Sequence, residues 1–75
     1  MPETAALAER IRKYRDAQEK NQFDMASEMG LSTEEISLLE RGKTDPKLST
    51  LQKIAAHMGI TVSELLKIDE EEERR

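Results

Sequence analysis

The fold of this chain is decided by residues 21–43, which read NQFDMASEMGLSTEEISLLERGK. Asn21 begins the stretch with a side-chain oxygen that can accept a hydrogen bond from the free amides of a helix's first turn. The apolar residues that follow recur at helical spacing: Met25, Ala26 and Met29. Gly30 comes next, and a left-handed residue after a helix costs least when it has no Cβ. The first half of the stretch therefore predicts a short helix that stops at a glycine.

The second half of the stretch predicts another helix immediately after that glycine. Ser32 and Glu35 have the spacing of a capping box, in which each side chain accepts from the other residue's backbone amide. Two apolar residues, Ile36 and Leu39, then point inward, and Gly42 ends the helix. Two short helices joined by a tight glycine turn are the unit with which DNA-binding proteins lay a second helix in the major groove.

The rest of the chain extends this pattern on both sides. Helical periodicity and caps predict five short helices, at residues 3–18, 22–29, 33–41, 48–58 and 62–67. In the fourth helix the inward positions are Leu48, Leu51, Ile54, Ala55 and Met58, and Gly59 ends it. Thr61 and Glu64 form a second capping box before the fifth helix. Strand-like alternation is absent, so the fold class is all-α.

Length and charge limit what such a chain can be. Seventy-five residues hold one core, so we expect a single domain over residues 1–68. Residues 69–75 carry five acids and two arginines and should form a charged, disordered tail. The net charge is −4, of which that tail supplies −3, so the domain itself carries −1. A nearly neutral domain can still bind an anion through a local basic face.

Several function classes are excluded by what the sequence lacks. It has no cysteine and one histidine, which leaves no catalytic constellation and no metal site, so we expect neither an enzyme nor a cofactor or small-molecule substrate. His57 is interpreted as a plain surface residue. No apolar run approaches a membrane span, and the cysteine-free composition suits a cytoplasmic protein.

Short pieces of the sequence also match one known family. The pieces are LAERIR at residues 7–12, Gln22, GLS at residues 30–32, ERGK at residues 40–43 and GITVSELL at residues 59–66. At this spacing the chain resembles the phage-repressor type of helix-turn-helix domain, the Cro/CI or XRE family, over about residues 7–66. The resemblance implies a lambda-repressor-like domain of five short helices and no enzymatic activity.

The resemblance also implies roles for individual residues. Family members read base edges from the outward face of the third helix, which here carries Thr33, Glu34, Ser37 and Leu38. Positions that contact the DNA backbone correspond to Asn21, Gln22, Arg41, Lys43, Thr44 and Lys47, with Gln22 also bracing the reading helix. Arg15 and Glu40 match a pair that forms an internal ion pair between the first and third helices.

The sequence departs from the family pattern in ways that leave two functions open. Glu19 stands where the family commonly has glycine, and the reading helix carries acids where basic or amide side chains are usual. The first hypothesis is a sequence-specific regulator that binds double-stranded DNA as a homodimer. The expected dimer contacts are Leu65, Leu66 and Ile68. The second is a protein-interaction domain of adaptor, antirepressor or antitoxin-like type, which would bind a protein partner through the third helix and Phe23.

Overall fold

The computed structural model describes the backbone of residues 2–73 and the side chains of residues 5–67. Over that range the chain forms five helices and no strand, so the all-α prediction is confirmed. The helices are α1 Pro2–Ala17, α2 Gln22–Met29, α3 Thr33–Glu40, α4 Leu48–Met58 and α5 Val62–Glu73. The first four lie within one residue of their predicted bounds.

The fifth helix is longer than predicted. Its backbone is helical to Glu73, whereas the sequence analysis ended it at residue 67, and that end is wrong. Four of the six added residues, 70–73, are glutamate, which is a strong helix former and needs no apolar partner to continue a helix that has already begun. Side chains beyond residue 67 lie outside the described part, so the division into a domain and a charged tail stays a prediction.

Local caps fix the turn between α2 and α3. The Asn21 side chain accepts from the Asp24 amide at 2.8 Å, and Gly30 is left-handed with φ 76°. Ser32 and Glu35 complete their box, with bonds of 3.0 Å and 2.9 Å. Each of these contacts lies within four residues of its partner along the chain, so the sequence pattern alone could predict them.

The turn between α1 and α2 carries backbone strain. Glu19 has φ 56°, the left-handed conformation that favours glycine, and it stands where the family commonly has glycine. The Lys20 amide still donates to the Arg15 carbonyl at 3.3 Å, which closes the end of α1. The chain therefore makes a glycine-type turn with a residue that has a Cβ.

All five helices contribute to one core. Its most deeply buried side chains are Ile11, Met25, Ile36, Ile54 and Leu65. α1 packs against α3 and α5, whereas α2 packs against α3 and α4. Leu48 was predicted to point inward, but it is 62% exposed. It is the first residue of α4, where side chains lean back toward the helix start and so lie beyond the core. No helix in the described range is long and apolar enough to cross a membrane.

Candidate nucleic-acid interface

α3 has two distinct faces. Ile36, Leu39 and Glu40 are buried against the rest of the molecule. On the other face Thr33 and Glu34 are exposed, whereas Ser37 and Leu38 are half-buried. These four residues pair at a spacing of four, which places them in neighbouring positions on one side of the helix. The residues predicted to read bases therefore share one face, which we call the reading face.

A buried ion pair sets the position of α3. Arg15 in α1 donates from Nε to Glu40 Oε2 at 2.6 Å and from Nη2 to Oε1 at 2.9 Å. The two side chains are 16% and 3% exposed. The Glu40 carboxylate, as the main hydrogen-bond partner, raises the pKa of Arg15 above its usual value. This two-pronged contact attaches the end of α3 to α1, as the family resemblance implies.

Gln22 adds a second support from α2. Its Nε2 donates to Glu40 Oε1 at 3.2 Å, so the carboxylate is shared between α1 and α2. Gln22 is half-buried, and its position is fixed by the cap at Asn21 immediately before it. The structure thus shows Gln22 bracing α3. The oxygen of Asn21 is occupied by the cap, which leaves its NH2 group free to contact an anion.

Exposed cations follow α3 in the chain. Arg41 donates from Nε to the Ser37 carbonyl at 3.3 Å, so its guanidinium folds back along the last turn of α3. Lys43 and Lys47 are exposed, and Thr44 is half-buried between them. Within residues 5–67, none of these three cations has an ion-pair partner. Their charge is therefore available for an external anion.

The two acids that begin α3 differ in what they can do. The Glu35 side chain accepts from the Ser32 amide, and this bond is the main reason that its pKa lies below the usual value. Glu35 is therefore occupied in capping the helix. Glu34 is exposed in the same turn and lies on the reading face. One acid, rather than two, is thus free to contact a ligand from this turn.

The basic residues of α1 also differ from one another. Arg15 is bound to Glu40, while Lys13 pairs with Glu9 at 2.9 Å on the helix surface. Arg12 donates from Nη1 to the backbone carbonyl of Glu40 at 2.9 Å. Sequence reasoning predicted no internal contact for Arg12, because a bond from a side chain to a distant backbone carbonyl leaves no mark in residue spacing.

The interpretation of His57 as a plain surface residue is wrong. Its side chain is 20% exposed, with Nδ1 2.7 Å from the Tyr14 hydroxyl and Nε2 2.9 Å from Glu28 Oε1. Lys20 pairs with the other oxygen of Glu28. The Lys20 contact first, and the His57 contact second, hold the pKa of Glu28 below its usual value. The available signal was Tyr14, since a tyrosine in an apolar stripe needs a partner for its hydroxyl.

The expected protein-contact residues lie in different environments. Phe23, at the start of α2, is 67% exposed. Leu65 is 1% exposed and belongs to this chain's own core, so its side chain is not available to a second copy in this conformation. Leu66 is 39% exposed, while the side chain of Ile68 lies outside the described residues.

Comparison with known proteins agrees with this geometry. A helix-turn-helix family model matches residues 11–65, which is most of the chain and covers α2, α3 and α4 in full and parts of α1 and α5. The chain belongs to the helix-turn-helix family. The matched range contains all of α2, the glycine turn and α3, together with the ion pair that positions α3.

Curated relatives carry the same motif. The HTH-type transcriptional regulator DdrOP3 of Deinococcus deserti is 43% identical over 60 residues, which are 80% of this chain and 46% of that relative. The chain thus spans about half the length of DdrOP3. An uncharacterized HTH-type transcriptional regulator of Archaeoglobus fulgidus is 35% identical, over 84% of this chain and 90% of its own length. Another, from Methanocaldococcus jannaschii, is 29% identical over its full length. No solved structure matches this chain.

Proposed function

We propose that this helix-turn-helix chain is a transcriptional regulator that binds specific sequences in duplex DNA, with α3 in the major groove. The observation that carries the proposal is the fixed outward position of the reading face. Arg15 and Gln22 hold Glu40 on the inner side of α3, and the opposite face stays free. The helix-turn-helix family, and relatives named as HTH-type transcriptional regulators, support the same function.

Phosphate contacts supply the affinity in this proposal. Arg41, Lys43 and Lys47 are exposed around the end of α3 and would neutralise backbone phosphates on one side of the groove. On the other side, Asn21 and Gln22 stand at the start of α2, where free backbone amides and the helix dipole favour an anion. Thr44, between the two lysines, adds a hydroxyl. The reading face would then lie between the two groups of anchors.

Base contacts supply the specificity. Thr33 and Glu34 lie in the first turn of α3, the part of a recognition helix that meets base edges. An exposed carboxylate such as Glu34 can accept a hydrogen bond from the N4 amino group of cytosine. Leu38 can pack against the methyl group of thymine, and the Ser37 hydroxyl can bond to either kind of base. The proposal therefore includes a cytosine in the half-site opposite Glu34.

A homodimer completes the proposed function. One helix reads only a few base pairs, and two copies related by a two-fold axis read half-sites about 34 Å apart. Among the described side chains of α5, which end at residue 67, Leu66 is the exposed large apolar one that would begin the interface, and Ile68 lies outside that range. Sedimentation that shows only monomer at high protein concentration would contradict this part of the proposal.

Two substitutions test the proposal by failing in different ways. Lys43→Ala should weaken binding to every DNA sequence by the same factor. The slope of log binding constant against log salt concentration (the salt slope) should become shallower by about 0.9, since one phosphate contact is lost. Glu34→Ala should leave that slope unchanged and reduce the free-energy preference for one base over the others at a single position by ~1–3 kcal/mol. Lys13→Ala, which removes an exposed lysine of α1 that pairs with Glu9, is the control and should change neither. The measurement is fluorescence anisotropy of labelled duplexes over a range of salt concentrations. A wild-type chain that binds no duplex even at low salt would refute the proposal.

A second candidate function rests on Phe23 and Glu34. Phe23 is 67% exposed at the head of α2, and an acid on the reading face repels phosphate. An apolar anchor beside an acidic helix suits a protein partner of the adaptor, antirepressor or antitoxin-like type. Under this function Phe23→Ala and Leu38→Ala should both abolish capture of a protein partner, while Lys43→Ala should not. The opposite pattern, in which Lys43→Ala loses binding while Phe23→Ala and Leu38→Ala keep it, would exclude this function.

A further inference from the structure

Arg12 lies at the junction between α1 and the end of the reading helix. Its Nη1 donates to the carbonyl of Glu40 at 2.9 Å, across 28 positions of sequence. Glu40 is the last residue of α3, so this carbonyl is at the negative end of the helix dipole. The guanidinium therefore satisfies a terminal carbonyl that has no partner within the helix.

That bond uses a small part of what Arg12 can donate. A guanidinium has five N–H donors in a rigid plane, and the bond to Glu40 accounts for one. The residue as a whole is exposed, so solvent or a ligand can reach the rest of the group. Arg15 differs, since it is largely buried and its charge is matched by the Glu40 carboxylate.

Nearby acids do not neutralise Arg12. Glu9, three residues earlier on α1, pairs with Lys13 at 2.9 Å. Both oxygens of Glu40 are bound to Arg15. Within the described side chains, no carboxylate forms an ion pair with Arg12. Arg12 therefore has no direct carboxylate partner at the end of α3; at longer range its charge adds to that of Lys13 in holding the pKa of Glu9 below its usual value.

The bonded carbonyl also places Arg12 next to other cations. The Glu40 carbonyl belongs to the peptide that joins Glu40 to Arg41, so the Arg12 guanidinium lies where the segment 41–43 begins. That segment carries Arg41 and Lys43, both exposed and without an ion-pair partner among residues 5–67. Three cations without an ion-pair partner in the described range, from two separate parts of the chain, thus belong to or adjoin the segment that follows one helix end.

We propose that Arg12 contacts a DNA backbone phosphate together with Arg41 and Lys43, while its bond to Glu40 holds α3 in register with that phosphate. The inference rests on the proposed DNA-binding function and adds α1 to the binding surface. An arginine suits this double role, because its planar fork can donate to a carbonyl with one edge and to a phosphate with another. Lys13, the next residue, pairs with Glu9 and makes no hydrogen bond or ion pair to α3, so it is the matched control.

The test separates the phosphate contact from the capping bond. The full chain is titrated with a duplex that the wild type binds, over a range of NaCl concentrations, as wild type, Arg12→Ala, Arg12→Gln and Lys13→Ala. Arg12→Gln removes the charge and keeps an amide N–H donor, which is two bonds shorter than arginine and would reach the Glu40 carbonyl through a bridging water. Both Arg12 variants should lose about 0.9 from the log–log salt slope, whereas Lys13→Ala should keep the wild-type slope. Arg12→Gln should also melt close to the wild-type temperature.

Two results would overturn the inference. If Arg12→Gln folds and binds with the wild-type salt slope, Arg12 contacts no phosphate, whatever the affinity of Arg12→Ala. If Lys13→Ala lowers the slope as much as Arg12→Gln, the effect is one of general charge and not of a site at α3. A wild-type chain that binds no duplex overturns the proposed function as well, and that result is read before any variant is tested.

Discussion

Glu40→Ala is the substitution that should damage this domain most. The Glu40 side chain is 3% exposed and binds Arg15 through both oxygens, and Gln22 shares one of them. Alanine would leave the Arg15 guanidinium 16% exposed with no carboxylate in reach except Asp16, at 3.6 Å. Arg15 would keep its bond to the Lys20 carbonyl at 2.8 Å. The charge would nevertheless remain largely buried and unmatched.

The size of the effect follows from that environment. Breaking a buried ion pair by removing one partner costs about 3–5 kcal/mol. Because Arg15 retains some exposure and one hydrogen bond, we expect the lower end, about 3 kcal/mol. At ~0.05–0.15 kcal/mol per residue, a chain of this length has a free energy of unfolding of roughly 4–11 kcal/mol. The melting temperature should therefore fall by ~12–24 °C, at ~4–8 °C per kcal/mol for a domain of this size.

Thermal unfolding followed by far-UV circular dichroism measures this loss. Glu34→Ala is the matched control, because it removes an exposed acid from the same helix and should change the stability by at most about 0.5 kcal/mol. If Glu40→Ala melts within a few degrees of Glu34→Ala, then the ion pair does not hold α3 in place, and the account of the reading face is refuted.

Three further substitutions or conditions have defined outcomes. Glu19→Gly should raise the free energy of unfolding by about 0.5–1 kcal/mol, because relieving a left-handed residue, worth ~1–2 kcal/mol, outweighs the added freedom of glycine in the unfolded chain. The urea midpoint should rise accordingly, and an unchanged or lower midpoint would contradict the strain at Glu19. Tyr14→Phe should lower the stability by about 1 kcal/mol in the same assay, since its hydroxyl bonds the His57 carbonyl at 3.0 Å, and full stability would show that this bond contributes nothing. The pKa of Glu28 is lowered in the folded state, so the ionised side chain stabilises the fold above the ordinary glutamate pKa of ~4.3, and this stabilisation is lost as the pH falls through the lowered pKa. The melting temperature of the wild type should therefore exceed that of Glu28→Gln by less and less as the pH falls through this window, and a pH-independent difference would contradict the contact.

The parts of the fold that the sequence predicted depend on contacts close along the chain. Asn21 with Asp24, Ser32 with Glu35, and the glycine at position 30 each act within one helical turn, so their residue types and spacing suffice. The end of α5 was wrong for the opposite reason. The sequence prediction ended α5 where the residues become too charged to bury. The backbone stays helical to Glu73 because the glutamates after Lys67 have high helix propensity.

Contacts between distant residues were harder to predict. The pairing of Arg15 with Glu40 came from the family resemblance, because 25 positions separate the two residues and no periodicity joins them. His57 and Arg12 had no such precedent in the sequence reasoning. The first bridges Tyr14 and Glu28, and the second bonds a backbone carbonyl. Such partners become visible only when the helices are packed.

The most direct test of the central claim is a selection of bound sequences from a random pool of duplex DNA by the wild-type chain at moderate salt. The account predicts enrichment of one motif with two-fold related half-sites, centred about one helical turn apart, ~34 Å. A cytosine position in each half-site should lose its preference in Glu34→Ala. Recovery of an unenriched pool, with no duplex retained even at low salt, would contradict DNA binding and favour the protein-interaction function through Phe23.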